Sequence, residues 1–93
     1  MGLTYSMAAD LGKDNVRVNC IAPGLLYTPM TAPRMDDSMR ENRRNAAPLG
    51  TEGTAWDVAH AAVFLASDEA RWITGVVLPV DAGLTITLSL IHI

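Results

Sequence analysis

The hydrophobic positions of the chain fall into four periodic stretches separated by glycine- and proline-containing breaks. Between Gly2 and Gly12, Leu3, Met7, Ala8 and Leu11 recur at helical spacing, and Gly12 offers a C-terminal stop. No capping residue precedes that pattern; it begins as if already in progress. From Val16 to Ala22 the period drops to two. Val16, Val18 and Cys20 share one face and Arg17, Asn19 and Ile21 the other, which predicts a strand ended by Pro23-Gly24. Thr54 and Asp57 form the Ser/Thr-x-x-Asp/Glu signature of a helix start, and that helix runs to about Ala66. Ala55, Val58, Ala59, Ala62, Val63 and Ala66 give it a face of small residues, suited to lying close on a sheet. Val76 to Val80 reads as a second strand. Pro79 cannot donate to a ladder, so this strand belongs at a sheet edge. Asp81-Ala82-Gly83 then turns the chain.

Between the first strand and the second helix lies a polar segment, Met30 to Asn45, with three methionines and Arg34, Arg40, Arg43 and Arg44. Asp36-Asp37-Ser38 starts a short helix within it. Two readings stand: a solvated surface helix, or a flap over a pocket whose methionines adapt to an apolar ligand. The order helix, strand, flap, helix, strand predicts an α/β layer arrangement. Strands 16–21 and 76–80 should lie parallel and adjacent, joined by a right-handed crossover through the 54–66 helix. The loop after the first strand, Leu25-Leu26-Tyr27-Thr28, is apolar and closes on a hydroxyl. In α/β proteins ligands sit at the carboxyl ends of strands, so Thr28 is expected to face an open concavity there.

Composition narrows the function classes. A length of 93 residues suits one small domain or a piece of a larger one. A net charge of −3 and a pI near 5.1 argue against a nucleic-acid or anionic-membrane surface. No apolar run approaches the ~20 residues of a membrane span, and the N-terminus lacks the pattern of a signal peptide. The single cysteine, Cys20, excludes an internal disulfide, and its place in the strand pattern reads as a small buried hydrophobe. The expected setting is reducing and cytoplasmic. His60 and His92 have no second ligand at a suitable spacing, so no metal site is expected.

Two segments carry a family resemblance. SMAADLGKDNVRVNCIAPGLLYTPM resembles the part of short-chain dehydrogenases/reductases that follows the catalytic helix. LGTEGTAWDVAHAAVFLASDEARWITGVVLPVDAG resembles that family's C-terminal helix and last strand. The resemblance covers about residues 2 to 85. It implies the C-terminal part of a Rossmann-like doubly wound parallel sheet, NAD or NADP as cofactor, and hydride transfer between a small carbonyl compound and an alcohol. It also implies a homo-oligomer, a dimer or a tetramer. Carried over residue by residue, Pro23 and Gly24 approach the nicotinamide ring, the backbone of Leu26 bonds its carboxamide, and Thr28 offers its hydroxyl to the carboxamide or the pyrophosphate. A dinucleotide needs such an apolar wall and a few fixed polar groups. The other reading of the same loop is a plain turn whose Thr caps the next segment. Ala82 stands where the family usually has the first of two glycines.

The family's proton relay does not occur in this sequence. It rests on Tyr-x-x-x-Lys with an upstream Ser, where the Lys lowers the Tyr pKa and binds the ribose. The only lysine is Lys13, and the residue four before it is Ala9. The phosphate-binding Gly-x-x-x-Gly-x-Gly turn does not occur either. No residue of this chain is assigned a catalytic role, and Tyr5 reads as a packing residue. The resemblance places the family's Lys upstream of Met1 on the same helix, so residues 1–87 are expected to be the C-terminal part of one NAD(P)-binding domain. LSLIHI, residues 88–93, resembles an in-frame translation of a transposon-end adaptor used in sequencing libraries, which marks it as foreign to the gene. The other reading is a genuine apolar tail extending the last strand. A non-catalytic piece that acts by association, through its first helix and last edge strand, is the alternative function.

Overall fold

The computed structural model describes residues 1–91. Helix α1 (Gly2–Leu11) leads through a 3-10 turn to strand β1 (Cys20–Pro23). Helix α2 (Asp37–Asn45) and helix α3 (Ala55–Ala66) follow, then strand β2 (Val77–Val80) and helix α4 (Leu84–Ile91). The two strands pair in parallel, with Cys20 opposite Val77 and Pro23 opposite Val80. The α/β reading and the parallel pairing expected from the hydrophobic pattern therefore hold.

The strand begins later than the pattern suggests. Val18 C=O accepts the Gly75 N–H at 2.8 Å, and Cys20 N–H donates to Val76 C=O at 2.8 Å. Side chains occupy the alternate positions: Val18 N–H donates to the Thr74 hydroxyl at 3.1 Å, and Val76 N–H to Asn19 Oδ1 at 3.0 Å. Residues 16–19 are thus an irregular approach to the sheet in which polar side chains replace ladder bonds. The Val76 and Val80 carbonyls face β1, accepting from Cys20 and Gly24. With a period of two, the nitrogen of Pro79 faces the open edge of β2, where a missing donor breaks no bond.

Arg17, on the face opposite Val16 and Val18, ties this approach to α3. Its Nη1 donates to Leu65 C=O at 2.7 Å and Ile73 C=O at 3.3 Å, and its Nη2 to Ser67 C=O at 3.2 Å. These acceptors include carbonyls at the end of α3, which have no partner within the helix. At the other end, the Asp57 carboxylate accepts the Thr54 N–H at 2.8 Å, as the helix-start signature predicts.

Several expectations need adjustment. α1 ends at Leu11 with Gly12 at its C-cap, as expected, but Gly12 stays right-handed (φ −58°, ψ −36°) and opens a 3-10 turn, and the left-handed reversal falls at Asn15 (φ 60°, ψ 35°). Asn tolerates that left-handed conformation because its short side chain bonds locally. On α3 Val58 and Ala59 of the expected face are half-buried and are joined by Ala61 and the buried Leu65, whereas Ala55, Ala62, Val63 and Ala66 are exposed. On α1 the buried residues are Thr4 and Ala8, and Leu3, Tyr5 and Met7 face outward. Cys20 is half-buried rather than buried. The hydrophobic core of the described residues is correspondingly thin, formed by Ala8, Leu65 and Ala70, while Trp72 is 92% exposed.

After Asp81 the chain becomes helical, so β2 is not extended by an apolar tail. The turn that reverses it holds Ala82 at φ 56°, a left-handed position that disfavours a Cβ. Ala82→Gly should therefore raise stability by roughly 1 kcal/mol, read from the denaturant midpoint. The opposite outcome is expected at Gly24. A Cβ there would lie 2.6 Å from the Asp81 Cβ and 2.7 Å from its Cα. Gly24→Ala should lower stability by about 1–3 kcal/mol. Gly12→Ala, with nothing within 4 Å of the new methyl, should be neutral or stabilising.

Candidate functional site at the strand ends

The carboxyl ends of β1 and β2 are held side by side by one bond and one close contact. Gly24 N–H donates to Val80 C=O at 3.0 Å, and Gly24 presses against the backbone of Asp81. Beyond this point the loop does not leave the scaffold at once. Leu26 forms a parallel bridge with Gly53, and Tyr27 N–H donates to Gly53 C=O at 2.8 Å. The residue at the centre of such a bridge turns its own N–H and C=O away from its partner. Leu26 therefore presents its peptide groups outward, and its carbonyl is approached by Thr31 Oγ1 and Arg43 Nη2, each at 3.4 Å.

A cavity of about 220 Å³ opens here, walled by Leu25, Leu26, Leu49 and Val80 with Arg43 and Asp81 among its polar groups. Thr28 does not line it. The Thr28 backbone N–H donates to Thr31 Oγ1 at 2.9 Å, and its carbonyl accepts from the Thr31 and Ala32 N–H groups at 3.0 and 2.8 Å. The Thr28 hydroxyl lies 3.4 Å from that of Thr31, long for an O–H···O pair. In this structure Thr28 forms the turn that caps the next segment, and the hydroxyl is only weakly held. Of the expected site residues only Leu26 lines the cavity; Pro23 ends β1 and Gly24 follows it beside Val80 and Asp81, and Thr28 lies in the turn with Thr31.

The polar segment is a helix, started by Asp36, whose Oδ1 accepts the Met39 N–H at 2.8 Å. Of its arginines Arg43 lines the cavity and Arg40 and Arg44 reach Glu52, while none of Met30, Met35 and Met39 lines the cavity. Met30 and Met39 are exposed, and neither lines the cavity. Arg40 makes a two-point pair with Glu52, Nε to Oε2 at 2.9 Å and Nη2 to Oε1 at 2.7 Å, and its guanidinium carbon sits 3.9 Å over the Tyr27 ring. Arg44 adds a longer contact to Glu52 at 3.8 Å. The sequence reading missed Glu52 and Tyr27. The available signal was the spacing of Arg40, Arg43 and Arg44, which places three cations on adjacent turns of one helix face.

Two carboxylates are held below their usual range. The hydrogen bond from Arg40 lowers that of Glu52. The Thr85 hydroxyl, followed by the Thr85 and Gly83 backbone N–H groups, lowers that of Asp81. Asp81 thereby caps α4, accepting Gly83 N–H at 3.0 Å and Thr85 N–H at 3.0 Å. Among the described residues no cluster of three or more His, Cys, Asp or Glu could hold a metal ion, and no helix is long and apolar enough to cross a membrane.

A parallel strand pair covered by a helix, with a loop site at its carboxyl ends, defines a Rossmann-like α/β class. A sequence profile described as Enoyl-(Acyl carrier protein) reductase matches residues 1–85. The chain belongs to the short-chain dehydrogenase/reductase family. It is 42% identical over 84 residues to a 3-oxoacyl-(acyl-carrier-protein) reductase of Chlamydia muridarum, covering 90% of this chain and 34% of the relative. It is 45% identical over 97 residues to (+)-borneol dehydrogenase 2 of Salvia officinalis, covering 94% and 34%. Among solved structures, a 4-hydroxyisoleucine dehydrogenase mutant complexed with NADH and succinate superposes with a TM-score of 0.82 at 36% identity, over 91% of this chain and 35% of that one. The chain spans about a third of the length of the curated relatives it matches.

Because both lowered carboxylates accept these hydrogen bonds more strongly when ionised, their contribution should be present above the ordinary carboxylate pKa. It should be lost as pH falls through the lowered folded-state values. Stability measured between pH 7 and pH 3 should therefore drop. Asp81→Asn should flatten that dependence, and an unchanged slope would show that Asp81 is not a contributor.

Proposed function

We propose that this chain supplies the nicotinamide-side loop and the substrate flap of an NAD(P)-dependent oxidoreductase that interconverts a small carbonyl compound and an alcohol. The observation that carries the reading is the outward peptide of Leu26 at the carboxyl end of β1, beside the apolar wall of Leu25 and Val80. A planar carboxamide-bearing ring needs that combination of flat apolar contact and a fixed backbone partner. Pro23 and Gly24 would border the ring, and Leu26 would hold its carboxamide. Thr28 would join only after its hydroxyl leaves Thr31, a weak contact to break. When bound, the cofactor donates or accepts the hydride. This chain's own part is to orient the ring and, through α2, to cover the substrate.

The choice between NAD and NADP lies outside these residues, and so does the proton relay. Its Tyr-x-x-x-Lys pair has no counterpart in the sequence. The full enzyme would be a cytoplasmic homo-oligomer. The reading of 88–93 as a foreign appendage to a 1–87 domain part belongs to the same proposal, and reading the gene past codon 87 tests it.

A second reading, association without catalysis, is favoured by the exposed aromatic residues Trp56 (73%) and Trp72 (92%). One experiment separates the two. The purified 93-residue chain should give no turnover with either nicotinamide cofactor, and turnover should appear when it is mixed with a separately expressed N-terminal part of the domain. Turnover by the chain alone would overturn the proposal. A complex that forms in the mixture but stays inactive would favour association alone.

A further inference from the structure

The flap helix and the cofactor-side loop are joined by a three-residue contact that the family resemblance does not assign. Arg40 leaves α2 and meets Glu52 at two points, 2.9 and 2.7 Å, while the same guanidinium lies 3.9 Å over the Tyr27 ring. A planar guanidinium can do both at once, since its edge forks onto a carboxylate while its face stacks on an aromatic ring. Lysine could do neither well. The partners sit on three different segments. Tyr27 is next to Leu26, Arg40 is in α2, and Glu52 is next to Gly53. Gly53 is the residue that bridges Leu26 and accepts the Tyr27 N–H. The charge pair therefore closes a ring: Tyr27 to Gly53 through the backbone, Gly53 to Glu52 along the chain, Glu52 to Arg40, and Arg40 back onto Tyr27. Both charged side chains are partly shielded, 31% and 22% exposed, which limits screening by solvent.

We propose that Arg40, Glu52 and Tyr27 form a clamp that couples the position of the flap helix to the backbone at Leu26, and that they are positioning residues for the nicotinamide ring. The coupling itself stands on the geometry alone; its role in cofactor binding rests on the assignment of residues 23–28 to the nicotinamide. With the clamp closed, α2 is tied to the Leu26–Gly53 bridge beside the cavity, and the Leu26 peptide is held in its outward orientation. Opening it loosens helix and loop together, because the links that remain, Arg43 to the Leu26 carbonyl at 3.4 Å and Arg44 to Glu52 at 3.8 Å, are longer. Flap closure and ring orientation become one event.

The test has two arms. In the 93-residue chain, amide hydrogen exchange is followed at Tyr27 and through residues 39–45, with circular dichroism to verify that each variant folds. Glu52→Gln should accelerate exchange at both places by roughly tenfold, the size expected when a two-point charge-assisted pair is lost. Arg40→Lys, a milder change that keeps the charge, should accelerate Tyr27 as well, because fork and stack are lost together. The swapped variant Arg40→Glu with Glu52→Arg restores an ion pair but moves the guanidinium away from α2. Protection of the helix should recover and protection of Tyr27 should not. Recovery at both places, or an unchanged Tyr27 in Glu52→Gln, would reduce the contact to an ordinary helix anchor and overturn the clamp.

In the second arm the same variants are mixed with the separately expressed N-terminal part. KM for the nicotinamide cofactor should rise about tenfold with kcat little changed, as for loss of an interaction that orients the ring equally in ground and transition states. Altered exchange with an unchanged KM would overturn the positioning role. A wild-type mixture that never turns over would count against the cofactor assignment instead, while the exchange arm still decides whether the clamp exists.

Discussion

Everything else in this structure depends on Arg17. The two strands that form the sheet are separated by more than fifty residues, so their pairing must overcome a large loop-closure entropy before any ladder bond forms. Four residues on each side make a short ladder. The Arg17 guanidinium adds three more attachments across the same gap, to Leu65, Ser67 and Ile73. These tie the approach to β1 both to the end of α3 and to the approach to β2. Asn19 repeats the device on a smaller scale, donating to Ile73 C=O at 3.1 Å while accepting from Val76 N–H. The sheet is entered through side chains before it is continued through backbone.

That anchoring explains how an apolar loop can hold a defined shape at the far end. Pairing passes from Pro23 opposite Val80 and Gly24 on Val80 C=O, through a bend at Leu25, to Leu26 opposite Gly53. The partner of the chain changes from β2 to the segment before α3. Loops that carry function commonly owe their precision to a rigid scaffold behind them. Here the scaffold reaches as far as Tyr27, and only Thr28 onward is shaped by its own turn with Thr31.

The elements that the sequence reveals are those whose pattern is local. The α3 start could be read from Thr54 and Asp57 because both halves of its cap lie three residues apart. The edge position of β2 could be read from Pro79 because a missing donor has one structural meaning there. What could not be read depends on partners distant in sequence. Arg17 looked like one polar position in an alternating strand, and nothing nearby showed that helix carbonyls near residue 65 would bind it. The α3 stripe was misjudged for a related reason. A helix rich in alanine has several faces of similar apolarity, and tertiary contacts choose among them, here in favour of Leu65. In the site, the place of Leu26 just past the end of β1 follows from the local strand pattern, whereas Glu52 and Tyr27 gain meaning only when the fold brings them under Arg40. Thr28 shows the limit of likeness: the residue type matches, and its side chain turns toward Thr31.

The exposed apolar residues acquire sense from the same architecture. Parallel sheets are ordinarily covered on both faces, because their crossover connections lay helices there. This pair has one free edge on each strand and a core of small side chains. Polar side chains seal the approach to β1, and the exposed apolar surface lies elsewhere, at Leu3 and Met7 on α1 and at Val16 before β1. The relatives have about three times the length of this chain and share its fold over the matched part. A longer chain of that kind has the strands and helices to cover those surfaces. The division of labour then follows from geometry: residues at the strand ends are ordered from within by Arg17, Asn19 and the Gly53 bridge, whereas the sheet edges and the outer face of α1 are left uncovered by the other described residues.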